Sequence, residues 1–251
     1  MKDFTVNAYN ELLDALISSG YEFQTFRDYL KNPLEKVVIL RHDVDKKPGN
    51  SLCFAEIEHE KGLRASYFFR AVPESLHVDK LLAIKALGHE IGYHYEDMDP
   101  AKGDPEKAIK SFEENLQKLR KLAQIDTICM HGSPLSKYDN KELWRHYDYR
   151  QYGILGEPYF DLDYSKIFYI TDTGRKWNNT EASIRDKVDS PFQIEVNGTE
   201  HFIELLKNGA MPDQMMINTH PQRWNDGLGP WIKELVGQTL KNQIKKVISR
   251  R

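Results

Sequence analysis

The stretch "VILRHDVDKKP", residues 38–48, sets an aliphatic run directly against Arg41, His42, Asp43 and Asp45. Val and Ile favour strands, and charged groups are expensive to bury. The stretch therefore reads as a core strand that delivers polar side chains to its carboxyl end, where parallel barrels and open α/β sheets keep their active sites. Side chains two apart on a strand share a face. Asp43 and Asp45 are thus expected to project together, with His42 on the opposite face as a structural or supporting group.

Working outward, helical spacing of Leu12, Leu13, Leu16 and Ile17 predicts a helix from about Ala8 to Ser19, closed by Gly20, and a short helix from Phe26 to Leu30. Beyond the central strand the pattern alternates. A helix near Ser51 to Lys61 precedes "ASYFFR", a helix near Asp79 to Leu87 precedes "EIGYHY", and a helix near Pro105 to Ala123 precedes "DTICMHG". An aromatic-rich, irregular region from Trp144 to Ser190 has "KIFYITDTG" as its best strand. Its tyrosines suit either sugar binding or a packed loop over the barrel mouth. "HFIELLKNG" then reads as a helix, "QMMINTHP" as a last strand and "WIKELVGQTLKNQIKKVISR" as a closing helix. Strands separated by helices of this length cannot pair as hairpins, so they imply right-handed crossovers and a parallel sheet. Five strands end on polar clusters, "RHDVD", "YHYED", "MHGSP", "TDTG" and "NTHP", as expected of one shared rim.

With 251 residues, no repeat and no linker, one domain is expected over 1–251, with 1–35 as an N-terminal helical extension. A net charge of -3 provides no basic field for nucleic acid or for an anionic membrane. No stretch resembles a signal peptide or a membrane span, so the expectation is a cytoplasmic chain without membrane insertion, export remaining open. Cys53 and Cys129 have no metal-type spacing and read as small buried hydrophobes.

Two close carboxylates repel unless a proton or a cation intervenes. A divalent ion completed by neutral imidazoles, zinc or a similar first-row metal, resolves the conflict. His94, His131 and His220 each sit at a strand tip and are candidate ligands or acid/base groups. His59, His77, His146 and His201 fall on predicted helices and read as surface residues. His89 reads as fixing a turn.

"RHDVD", "GHEIGYH" and "INTHP" together resemble motifs of the polysaccharide deacetylases of the carbohydrate esterase family 4 group, over about Val37 to Pro221. The match of Gly88, His89, Glu90, Ile91, Gly92 and His94 is the most specific. The resemblance implies an α/β fold, an irregular (β/α) barrel of about seven parallel strands, and metal-assisted hydrolysis of a carbon–nitrogen bond that frees an N-acyl group, N-acetyl by expectation, from an amino sugar. It implies Asp43 as general base, Asp45 and His94 as metal ligands, and His220 as general acid. Arg41 would pair with Asp43. Asp172, Arg175 and Trp177 in "TDTGRKW" resemble a motif that positions the catalytic histidine and lines the acyl pocket. The chain departs from the family pattern where Met98 occupies the second histidine ligand position and where "CMHGSP" replaces an Arg-Pro motif. A third ligand then comes from His131, which imidazole chemistry favours, or from Glu96, which otherwise reads as substrate-binding; loss of the metal is the third alternative. The readings that compete with a deacetylase are a hydrolase of another C–N or ester bond and a degenerate carbohydrate-binding member.

Overall fold

A computed structural model describes residues 2–132, 136–177 and 188–248, excluding the side chains of 244–248. Ser133 and Pro134 of "MHGSP" lie outside the described residues. The chain runs through α1 (Val6–Ser18), β1 (Glu22–Gln24), α2 (Phe26–Lys31), β2 (Val37–Val44), α3 (Pro48–Glu60), β3 (Ser66–Phe69), α4 (Val78–Ala86) and β4 (Glu90–Tyr95). It continues through α5 (Pro105–Arg120), β5 (Ile128–Met130), α6 (Pro158–Asp161), β6 (Phe168–Thr171), α7 (Thr199–Lys207), β7 (Gln214–Thr219) and α8 (Leu228–Ile248). Short 3-10 turns lie at Asn140–Arg145, Tyr149–Tyr152 and Pro221–Arg223.

Every strand pairing is parallel, in the order β5-β4-β3-β2-β7-β6. β2 is long enough to hold two neighbours on one edge: β1 pairs with Val37–Ile39 and β3 with Arg41–Val44. Residues 1–35, expected as a helical extension, therefore supply a strand of the sheet, and α1 buries Ala8, Tyr9, Leu12, Leu13 and Leu16 in the main core. The three-residue β1 carries too little periodicity to be read from sequence.

The sheet is curled. Ile39, Phe68, Cys129, Tyr169 and Met216, from β2, β3, β5, β6 and β7, pack into one cluster although β5 and β6 are the ends of the strand order. Among the described residues no ladder joins those ends; Thr127 instead bridges Gly156. The result is an open (β/α) half-barrel whose outer face packs against the helices. Alternation along strands with both faces buried gives near-continuous apolar runs, as in "KVVIL". α5 shows the complementary helical logic: Asp104 caps its first turn, Pro105 opens it, and Ala108, Ile109, Phe112, Leu116 and Leu119 form its buried stripe.

Register sets the inner face. Arg41 lies opposite Asn218, Asp43 opposite Phe68, Phe68 opposite Gly92, and His94 opposite Cys129. Lower in the barrel these positions are apolar, and towards the carboxyl ends they become ionisable. Gly92 is required by this packing, because a Cβ there would overlap the Phe68 ring.

Candidate active site and metal centre

Asp43, at the inner end of β2, is held by Arg41 through two hydrogen bonds, Nε to Oδ1 at 2.9 Å and Nη2 to Oδ2 at 2.7 Å. Asn218 Nδ2 donates to the same Oδ2 at 3.1 Å. Burial pushes the Asp43 carboxyl up, but Arg41, with help from His94 and His220, outweighs it and lowers the pKa to about 2. Arg41 itself is fully buried and also reaches the Tyr159 hydroxyl at 3.3 Å.

Asp45 lies one residue beyond the end of β2, yet it still turns inward. Its Oδ1 sits 3.6 Å from His94 Nε2 and 3.5 Å from His131 Nε2, and its Oδ2 accepts from Gln222 Nε2 at 3.0 Å. His94 Nδ1 donates to the Cys129 carbonyl at 2.9 Å, which leaves Nε2 directed at the two aspartates. Behind His131, Glu96 Oε2 lies 2.9 Å from Nδ1, while Arg70 grips Glu96 with two hydrogen bonds at 3.0 and 2.8 Å. Glu96 thus stands behind His131 at ion-pair distance and does not itself join Asp45 and His94. Met98 is buried in the hydrophobic core, with its backbone N–H on Asn140.

One atom of this group tests whether a cation fits. Asp45 Oδ1 is buried and receives no hydrogen bond among the described residues, and Asn218 Oδ1 and Gln222 Oε1 share that condition. Buried acceptors without donors are costly, and a cation satisfies them. Asp45, His94 and His131 offer ligand atoms all within 4.8 Å of one another. Ligand atoms bound tetrahedrally to zinc at about 2 Å lie roughly 3.3 Å apart. The 3.5 and 3.6 Å separations come close to that spacing. Asp43, His94 and Cys129 form a second such group, but there the carboxylate is already neutralised by a guanidinium, which a metal would have to face. The residues fit a divalent ion at the Asp45 set.

His220, immediately after β7, brings its Nε2 to 3.9 Å from both Asp43 Oδ2 and Asp45 Oδ2. Its Nδ1 meets Asp172 Oδ1 at 2.6 Å, and its backbone N–H donates to Asp172 Oδ2 at 3.0 Å. Asp172 is fully buried and also accepts from Arg223 Nη1 and Trp224 Nε1. Burial raises its pKa, but Arg223 and His220 bring it below the ordinary carboxylate range.

The tertiary structure thus gathers Arg41, Asp43, Asp45, His94, Glu96, His131, Asp172 and His220. It does not gather Arg175 and Trp177, expected at the substrate pocket. Arg175 has a left-handed backbone (φ 57°) that turns its guanidinium outward onto Phe4, Trp231 and the Arg223 carbonyl. Trp177 is buried against Phe4, Phe202 and Trp224, with its indole N–H on Thr199. Sequence reading omitted Arg70, Asn218, Gln222, Arg223 and Trp224. Arg70 carried a signal, since it ends "ASYFFR" just as the other strands end on polar residues. The other residues acquire meaning only from what they face. Of the aromatic-rich region, Tyr159 borders both Arg41 and a cleft of about 580 Å³ lined also by Lys141, Trp144 and Phe160.

No family model and no curated protein matches this chain. Among solved structures it is similar to a carbohydrate esterase family 4 enzyme from Streptococcus mutans, at 13% identity and a TM-score of 0.47, covering 91% of this chain and 90% of that one. It is also similar to a family 4 carbohydrate esterase from Bacillus anthracis, at 14% identity, a TM-score of 0.42 and coverage of 92% and 84%. A peptidoglycan deacetylase from Bacillus subtilis aligns at 11% identity, a TM-score of 0.39 and coverage of 87% and 98%.

Proposed function

We propose that this chain is a divergent polysaccharide deacetylase-type enzyme, a metal-dependent hydrolase that releases an N-acyl group from an amino sugar. The observation that carries the reading is the unsatisfied Asp45 Oδ1 between two imidazole Nε2 atoms, beside a second carboxylate and a third imidazole. Asp45, His94 and His131 would hold the ion, zinc by its preference for nitrogen and oxygen ligands. When bound, such an ion polarises an acyl carbonyl and lowers the pKa of water.

The remaining groups divide the proton transfers. Asp43 is ionised at neutral pH and accepts the proton of the attacking water. Arg41 and Asn218 fix its oxygens, so that it does not swing to Asp45 or His94. His220, whose Nδ1 is held between Asp172 and Arg223, turns Nε2 towards the two aspartates and would pass a proton through it to the departing nitrogen. The C–N bond breaks, the acyl group takes the water oxygen and leaves as a carboxylic acid, and the sugar leaves as a free amine. His131 supports this reading over a sugar-binding chain without chemistry, because it offers a third ligand where Met98 cannot.

The test is elemental analysis of the purified protein followed by an assay for amine release from a panel of N-acylated sugars, with and without a chelator. One equivalent of metal and chelator-sensitive release are expected. A protein that binds no divalent ion and releases no amine overturns the proposal.

A further inference from the structure

The three candidate ligands are not held alike. His94 lies within β4 and its ring donates to a carbonyl of the neighbouring strand, so the sheet itself fixes it. Asp45 and His131 each stand one residue past the end of their strand, β2 at Val44 and β5 at Met130. The Asp45 N–H turns back onto the Asp43 carbonyl at 3.0 Å instead of pairing across to β3. The His131 backbone is tied to the Tyr95 carbonyl and to Asn140, both at 2.8 Å, but these bonds leave its ring to be set by what stands behind it. A site of this kind works only when its side chains are placed to within about 0.5 Å, so something must replace the ladder here.

Side chains from the segment after β3 take over. Ser75, fully buried, donates its hydroxyl to the Val44 carbonyl, and Arg70 Nη1 donates to the Asp45 carbonyl at 3.1 Å. The Arg70 backbone N–H donates to Ser75 Oγ at 3.0 Å, which joins the two braces. The remaining donors of the same guanidinium, Nε and Nη2, take both oxygens of Glu96, whose Oε2 lies 2.9 Å from His131 Nδ1. One rigid, planar fork thus spans from the backbone of Asp45 to the carboxylate behind His131. Charge balance for Glu96 needs only the two bonds to its oxygens; the bond to the neutral Asp45 carbonyl serves geometry. Gln222, on Asp45 Oδ2 at 3.0 Å, holds the carboxylate and not the backbone that carries it. We propose that Arg70 is the positioning residue of the metal centre, fixing the two ligands that the sheet does not hold: Asp45 through its main chain and His131 through Glu96. This inference rests on the reading of Asp45, His94 and His131 as the ligand set.

Zinc affinity of the full chain is measured by titration against a chromogenic chelator, with a thermal melt of the metal-free protein alongside. Outer partners of metal ligands are each worth about 10- to 100-fold in affinity, so Arg70→Met should weaken zinc by about 10²-fold and by more than Glu96→Gln does. The Arg70→Met/Glu96→Gln variant removes the charge that Arg70→Met alone leaves unpaired. It should still bind zinc about tenfold more weakly than Glu96→Gln, because the Asp45 carbonyl stays unheld. Arg70→Lys keeps the charge without the fork and should recover only part of the affinity. Equal affinity in the double variant and in Glu96→Gln overturns the proposal, since Arg70 would then act through Glu96 alone. Full affinity in Arg70→Lys overturns it too, by making charge sufficient, as does a metal-free melt lowered so far that the variants are unfolded during the titration, which would make Arg70 a brace of the fold. If the parent chain takes up no zinc, the ligand assignment itself falls; if the parent binds and Arg70→Met binds equally well, only the role of Arg70 does.

Discussion

Asp43 and Asp45 are two residues apart and of the same type, yet their surroundings separate them. A guanidinium neutralises Asp43 in place, whereas Asp45 keeps a buried oxygen that receives no hydrogen bond among the described residues. Asp45→Asn is therefore expected to lose stoichiometric metal on elemental analysis, while Asp43→Asn retains the metal and loses turnover; retained metal in the first variant removes Asp45 from the ligand set. His131→Ala should weaken metal binding far more than Glu96→Ala, whose loss through disturbed orientation of His131 is expected to be about 10- to 100-fold. A chelator-competition titration ranks the two. At His220 the same reasoning reaches Asp172: Asp172→Asn should keep the metal and lower turnover by roughly 10²-fold or more, because His220 loses the carboxylate that fixes its ring. The strand-tip histidines and the RHDVD aspartates could be read from sequence, because alternation fixes which side chains share a face. The choice between His131 and Glu96 could not, because it depends on Arg70 reaching across from β3 to draw Glu96 behind the imidazole.

Among the elements, β4 carries the tightest geometric demand. Its Gly92 gives the Phe68 ring room inside the barrel, one pleat below His94. Gly92→Ala should destabilise the fold by about 1–3 kcal/mol through overpacking. The urea midpoint should fall with an unchanged slope, and an unchanged midpoint would show that the ring moves aside at no cost. The alternation of strands and helices was legible because each crossover has both a period and a length. β1 and α6 were not, at three and four residues, since so short a segment takes its conformation from the neighbours it packs on. Arg175 and Trp177 show the same limit after β6. Two consecutive left-handed residues, Gly174 and Arg175, redirect the chain, and in "TDTGRKW" only the glycine announces the turn.

At the scale of the whole molecule, the half-barrel buries charge on both faces of one strand. Outside β2, Glu58 accepts from the Tyr9 and Tyr67 hydroxyls at 2.5 and 2.7 Å and pairs with His42 at 2.8 Å. Beside the inner core, Glu157 is fully buried where the open edge is bridged, and accepts the Met130 and Tyr159 backbone N–H groups. Burial raises its pKa to about 7. The folded state thus holds a proton that the unfolded chain gives up near pH 4.5. Its contribution to stability is present below that pH and is lost as pH rises to about 7, a difference of up to about 3 kcal/mol. Glu157→Gln should flatten this part of the stability–pH curve in chemical denaturation at pH 4.5 to 8. Parallel curves for the two proteins would show that Glu157 is ionised in the fold.

Sequence by itself determined the parallel alternation, the faces of the strands and the tips that carry ionisable groups, because periodicity and the cost of burying charge are local properties of the chain. Only the tertiary structure decided that the sheet curls until tips from β2, β4, β5 and β7 converge, and that Asp45 rather than Asp43 keeps an open oxygen. Those outcomes depend on which distant side chains supply donors and packing, and contacts between elements far apart in the chain leave no period to read.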